Sequence, residues 1–211
     1  MTIWAIVPVK PLRRGKSRLA ERLTEDERAE LNSLLLAHTL KTLKETPKID
    51  EVLVVSRDPK ALAIAHDLDA RTIREDGSPH LNVALERATA VAKMYEAKSV
   101  LVLPADLPLI SQADIEKLLS AANGSKRVVI ITPDRHKNGT NALLTSPVGL
   151  IKYDYGEKSF GRHCELAQKA GARLKVCELP SIELDLDLPE DLELVAKEIN
   201  FSFGDKKSLG L

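Results

Sequence analysis

Short runs of β-branched and aliphatic residues alternate along the chain with longer stretches whose apolar positions recur at helical spacing. That alternation predicts a mostly parallel sheet flanked by helices, an α/β fold. Residues 3–9 read as the first strand, followed by a basic loop over 10–18. Thr24 opens the run Thr-Glu-Asp-Glu, a capping box, and the helix it starts continues through Leu31, Leu34 and Leu35. Residues 52–56 read as a second strand, 59–66 as a short helix and 71–74 as a third strand. A turn is expected at 76–79, then a helix over 81–95 and a fully apolar strand at 100–103. Ser111 is placed to cap the next helix. Strands are expected at 127–132, 141–145 and 173–177, with a helix over 159–170 between the last two. Pro189 opens a final helix that runs to about residue 199. With no repeat, linker or composition break, one domain is expected over 1–200, followed by a tail at 201–211.

Composition narrows the partners. Hydrophobic residues make up 44% of the 211 positions and aromatics only 3%, so the core must be built from Leu, Val, Ile and Ala. Lys+Arg and Asp+Glu both number 31, so no global field recruits nucleic acid or a membrane surface, and any basic site is local. Cys164 and Cys177 form no CxxC pattern and read as buried thiols of a cytosolic protein. The apolar run at the N-terminus is too short for a signal peptide, and none approaches the ~20 residues of a membrane span. A soluble, cytoplasmic protein is expected, with small molecules as partners and room for a homodimer.

Ligands of open α/β sheets gather beyond the carboxyl ends of the strands, and three chemically rich segments fall at such places. The first, Lys10-Pro11-Leu12-Arg13-Arg14-Gly15-Lys16-Ser17-Arg18, holds five cations in nine positions. Gly15-Lys16-Ser17 resembles the end of a Walker A loop, but that motif needs glycine where Lys10 stands. What remains is a donor-rich loop suited to a triphosphate; the plain alternative is a solvated basic loop. The second segment centres on Asp106, which lies between Pro104 and Pro108 after an apolar strand. A carboxylate so placed can hold Mg²⁺ against a phosphate, or can simply cap a turn. In the third, 185–191, alternation puts Asp185 and Asp187 on one face. Asp187 is the better ligand, Asp185 its support, while Glu190 and Asp191 suit the first turn of the last helix. A cationic loop with two separated carboxylates describes a metal-assisted phosphate site, where positioning and charge neutralisation carry the chemistry.

Pro8-Val9-Lys10 with Gly15-Lys16-Ser17-Arg18-Leu19, Leu103-Pro104-Ala105-Asp106-Leu107-Pro108, and Asp185-Leu186-Asp187-Leu188-Pro189-Glu190-Asp191-Leu192 resemble the guanylyltransferases of coenzyme F-420 biosynthesis. Gly77 with Asn82, Gly139-Thr140-Asn141 and Tyr155-Gly156-Glu157-Lys158-Ser159-Phe160 extend the match over most of the chain. The resemblance implies a nucleotidyltransferase-like fold of the nucleotide-diphospho-sugar transferase type. It implies GTP and Mg²⁺, pyrophosphate release, and phosphoenolpyruvate or 2-phospho-L-lactate as acceptor. On it, Lys10, Gly15, Lys16, Ser17 and Asn82 bind the nucleotide, and Lys16, Arg18 and Asp106 are catalytic. Asp106 and Asp187 share the metal, while Thr140, Gly156 and Ser159 hold the acceptor. Leu188 stands where the family commonly has Thr, and Glu157-Lys158 where Pro-Gly is frequent. Arg162 and His163 could approach an acceptor from the helix after Ser159, but a place away from the site is the plainer reading. Two other readings stay open: a molybdenum-cofactor or sugar-acid nucleotidyltransferase, and an idle nucleotide-binding module.

Overall fold

The structure, a computed structural model, describes residues 2–77, 80–122 and 124–198. Ser78 and Pro79 of the expected turn, the end of the last helix near residue 199 and the tail at 201–211 lie outside the described residues.

Seven strands build one sheet: β1 (Ile3–Val9), β2 (Glu51–Ser56), β3 (Arg71–Arg74), β4 (Ser99–Val102), β5 (Val128–Pro133), β6 (Thr140–Ser146) and β7 (Arg173–Val176). Their spatial order is β3-β2-β1-β4-β6-β5-β7. The sheet is parallel except for β6, which runs antiparallel to both β4 and β5. The expected strand at 141–145 therefore sits between two neighbours, not beside one. Helices α1 (Glu25–Glu45), α2 (Pro59–Asp67), α3 (Leu81–Met94), α4 (Gln112–Ser120), α5 (Ser159–Lys169), α6 (Pro180–Glu183) and α7 (Pro189–Glu198) complete the order. Among the described helices none is long and apolar enough to cross a membrane.

The local signals act as their chemistry requires. Thr24 and Glu27 form a reciprocal capping box at the start of α1, and Ser111 with Asp114 forms one at α4. Asp58 caps α2 ahead of Pro59. The short α6 escaped the sequence pattern because a single turn has no periodicity to detect.

Side chains of a strand alternate between faces, and β1 shows the consequence. Ala5 and Val7 enter one core cluster with Leu36, Leu40, Leu101 and Ile115, under α1 and α4. Trp4 and Ile6 enter the other with Leu53, Leu85, Ala88 and Val100, under α3. His38 is exposed, and its Nε2 bonds across to the Ile110 carbonyl (3.0 Å), tying α1 to the loop before α4.

A third, smaller cluster positions the site. Leu19, in a single 3-10 turn after the basic loop, packs with Leu184, Leu186 and Leu192. Leu184 and Leu186 alternate with Asp185 and Asp187, so burying the leucines turns both carboxylates the other way.

Two substitutions separate these contributions. Leu40→Ala removes a fully buried side chain from α1 and should lower the unfolding free energy by about 2–5 kcal/mol. Thr24→Ala removes only the cap and should cost about 1 kcal/mol. Urea denaturation measures both, and equal losses would contradict this division.

Candidate active site

The carboxyl ends of the strands open into one cleft of about 590 Å³. Lys10, Gly15 and Lys16 reach it from the loop after β1, Asp106 from the loop after β4, and Asp185 and Asp187 from the segment before α7. Thr140, Gly156 and Ser159 line its other side. Ser17, Arg18 and Asn82 do not line it. Arg18 instead stands at the rim, ion-paired to Asp187 at 3.0 Å.

The loop after β1 is held at several points. The Pro11 carbonyl accepts from the Arg14 and Gly15 amides (2.9 and 3.0 Å), and Asn32 of α1 donates to the Leu12 carbonyl at 2.7 Å. A Cβ on Gly15 would lie 2.8 Å from the Asn32 amide nitrogen, so glycine lets the loop settle on α1. Lys16 follows with a left-handed backbone, φ 56°. Its side chain, only 4% exposed, ends 3.7 Å from Asp106 Oδ2 and donates to the Leu186 carbonyl.

Leu186 also donates its N–H to the Asp106 carbonyl at 2.9 Å. Two distant stretches of chain therefore meet edge to edge with the Lys16 ammonium between them. Asp106 Oδ1 is buried and has no hydrogen-bond partner among the described residues, a costly state that suits a ligand. Burial pushes the Asp185 carboxyl above its ordinary range, helped by the negative charge of Asp106 and, less, of Asp187; the Asn141 amide opposes the shift. Asn141, absent from the expected set, donates from Nδ2 to the Ile182 and Glu183 carbonyls (2.9 and 3.2 Å) and to Asp185 Oδ1 (3.3 Å). A lone Asn in a strand gave no local sign of that task.

Asp191 has the structural role expected of it. Its Oδ2 accepts the amides of Asp187 (2.8 Å) and Leu188 (2.6 Å), and Arg135 pairs with its Oδ1 at 2.6 Å. Among the described residues no group of three or more His, Cys, Asp or Glu side chains forms a ready metal cage. The two carboxylates would have to share an ion with a ligand's phosphates, the usual arrangement for Mg²⁺.

On the other side, Gly156 has φ +135°, a backbone conformation that L side chains rarely adopt. Ser159 Oγ donates to Thr140 Oγ1 at 3.3 Å. His163, fully buried one turn along α5, completes this set. Its Nε2 accepts the Asp154 amide at 3.0 Å, so the proton sits on Nδ1 and is donated to Thr140 Oγ1, also at 3.0 Å. Thr140 thus accepts twice and has its own hydroxyl proton for a ligand. Asn82 spends both ends of its amide on Tyr155, accepting its N–H (2.8 Å) and donating to its carbonyl (3.3 Å). It ties α3 to the loop of Gly156, behind the cleft surface.

The fold is that of a nucleotidyltransferase: a nucleotidyl transferase from Methanothermobacter thermautotrophicus superposes with a TM-score of 0.67 at 17% identity, covering 93% of this chain and 97% of that one. The chain belongs to the family described as guanylyl transferase CofC like, whose model matches residues 3–204. A phosphoenolpyruvate guanylyltransferase of Rubrobacter xylanophilus is 43% identical over 192 residues, 91% of this chain and 92% of the relative. A 2-phospho-L-lactate guanylyltransferase of Methanothermobacter thermautotrophicus is 33% identical over 192 residues, 91% and 83% respectively.

Burial holds His163 neutral, lowering its pKa to about 4; the Arg162 charge adds to this and Asp154 opposes it. The unfolded chain takes up the proton near pH 6.5 and the folded one only near 4, so this group's stability contribution is intact above 6.5 and lost as pH falls toward 4. The loss amounts to about 3 kcal/mol. The fall in unfolding free energy between pH 7 and 4 should therefore be shallower in His163→Asn than in the wild type; identical pH profiles would contradict it.

Proposed function

We propose that the protein transfers GMP from GTP to a small phosphorylated three-carbon acid and releases pyrophosphate. The observation that carries this is the meeting of Asp106 with the Asp185–Asp187 segment around the buried Lys16 ammonium. Family membership and the names of the curated relatives support guanylyl transfer, and phosphoenolpyruvate or 2-phospho-L-lactate as the acceptor. Phosphoenolpyruvate is favoured, because the relative so named is the more similar of the two. The protein works on these small molecules in the cytoplasm.

The residues fit a divalent ion. Asp106 brings a buried oxygen with no hydrogen-bond partner among the described residues. Asp106 and Asp187 would hold Mg²⁺, with Asp185 behind them. When bound, the ion neutralises phosphate charge and orients the triphosphate.

The remaining work falls to the chain's own groups. Lys10, with Gly15 shaping the loop and Ser17 beside it, receives the triphosphate at the end of β1. Thr140 offers its hydroxyl proton and Gly156 an unhindered backbone N–H to the acceptor's carboxylate and phosphate, while Ser159 orients Thr140 by donating to it. An oxygen of the acceptor phosphate attacks the α-phosphorus of GTP, and the bond to the β-phosphate breaks with its electrons leaving on pyrophosphate. The attacking oxygen is already ionised, so no general base is needed. Lys16 and Arg18 offset the charge that develops. Asn82 acts from behind, by fixing the Gly156 loop against α3.

Replacing Asp106 by Asn keeps the shape and removes the charge. Asp106→Asn should lower kcat/KM about 10²–10³-fold, comparable to the loss of one preorganised electrostatic group. Pyrophosphate release from GTP with Mg²⁺ and each acceptor measures it. An unchanged rate in a folded variant would sink the scheme.

A further inference from the structure

The cleft extends well beyond the phosphate chemistry. From Asp106 after β4 it runs past β1 to the ends of β2 and β3, where Arg57 and Glu75 line it. Three strand spacings separate β4 from β3, about 14 Å, a span suited to a nucleoside lying across the sheet edge. The walls between are apolar: Val55 of β2, Val102 of β4, and Leu81 and Ala84 of α3. A flat heterocycle between aliphatic side chains, with charge only at its far edge, is what such a slot accommodates.

The far edge holds a carboxylate that the proposed chemistry leaves unused. The Glu75 side chain is only 15% exposed. Arg57 Nε donates to its Oε2 at 3.3 Å, and the His80 amide donates to its Oε1 at 3.2 Å. Arg57 Nη2 donates to the Gly77 carbonyl at 2.9 Å, and the Glu75 amide donates to the Ser56 carbonyl at 2.9 Å. The carboxylate is thus held by one donor on each oxygen, and its backbone by Ser56. Each oxygen has spare accepting capacity, since an ionised carboxylate offers about four lone-pair sites.

A fixed carboxylate discriminates among bases by donor pattern. Guanine presents two adjacent donors on one edge, N1–H and the N2 amino group. Adenine and cytosine present one donor beside an acceptor there, and uracil one donor between two carbonyls. An acceptor-only pair of oxygens matches guanine and leaves an unpaired or repulsive contact with the others.

We propose that Glu75, positioned by Arg57, selects guanine by accepting from its N1–H and N2 amino group. The inference rests on guanylyl transfer as the function and names the residue that makes the transfer specific for GTP. A bare structural role for the Arg57–Glu75 pair, pinning the loop after β3 to that after β2, would stabilise the loop without distinguishing bases.

Competition binding without acceptor separates the two. A fluorescent N-methylanthraniloyl GTP is displaced, with Mg²⁺ present, by GTP, by ITP (which lacks only the N2 amino group) and by ATP. The wild type should bind GTP about 10–100-fold more tightly than ITP, the effect expected for one hydrogen bond to a charged group. In Glu75→Gln, GTP should weaken toward ITP and most of that ratio should vanish. Equal affinity of the wild type for GTP and ITP overturns the proposal even if the variant cannot be folded; so does a variant that keeps the ratio. Because no turnover is involved, strong GTP selection with no pyrophosphate release in the full reaction would refute guanylyl transfer while supporting the role of Glu75.

Discussion

The segment 184–188 docks onto two loops far from it in sequence, and the site depends on that docking. Leu184 and Leu186 bury against Leu19, and the Leu186 amide bonds to the Asp106 carbonyl at 2.9 Å. Burial of the leucines is the favourable term, on the order of 2 kcal/mol for each side chain. It brings Asp185 close to Asp106, which like charges would otherwise resist, and sets Asp187 on the same cleft. Lys16 offsets part of that repulsion with a buried ammonium between Asp106 and the Leu186 carbonyl. Removing one member of such a buried set is far more damaging than the set is stabilising.

Around this junction the sheet acts as a ruler. The loops after β1, β2, β3 and β4 each leave a strand end, so their lateral positions follow strand order. The basic loop and Asp106 follow the adjacent strands β1 and β4. Toward β3 the cleft turns apolar and ends in Arg57 and Glu75. Toward β6 it turns to hydroxyls, with His163 fixing the direction in which Thr140 donates.

Much of this was legible in the residues. The capping boxes at Thr24 and Ser111 act locally, within a few residues, and so are visible in the chain itself. Asp106 stood out because prolines flank it after an apolar strand, and Asp187 because leucine and aspartate alternate around it. Gly156 and Ser159 would have read as an ordinary helix cap without the family resemblance. What escaped was long-range. Nothing local marks β6 as lying between β4 and β5, or Asn141 as the tie to Asp185. Nor could spacing reveal that Asn82 spends its amide on Tyr155 behind the cleft, or that Glu75 and Arg57 meet after different strands.

The most direct test of the shared site is a double-mutant cycle on Asp106→Asn and Asp187→Asn, read as kcat/KM for pyrophosphate release. If both carboxylates serve one ion and one triphosphate, their losses should be strongly non-additive. The double variant should then fall little below the worse single one. Losses that multiply in full would show two independent roles and contradict a common site.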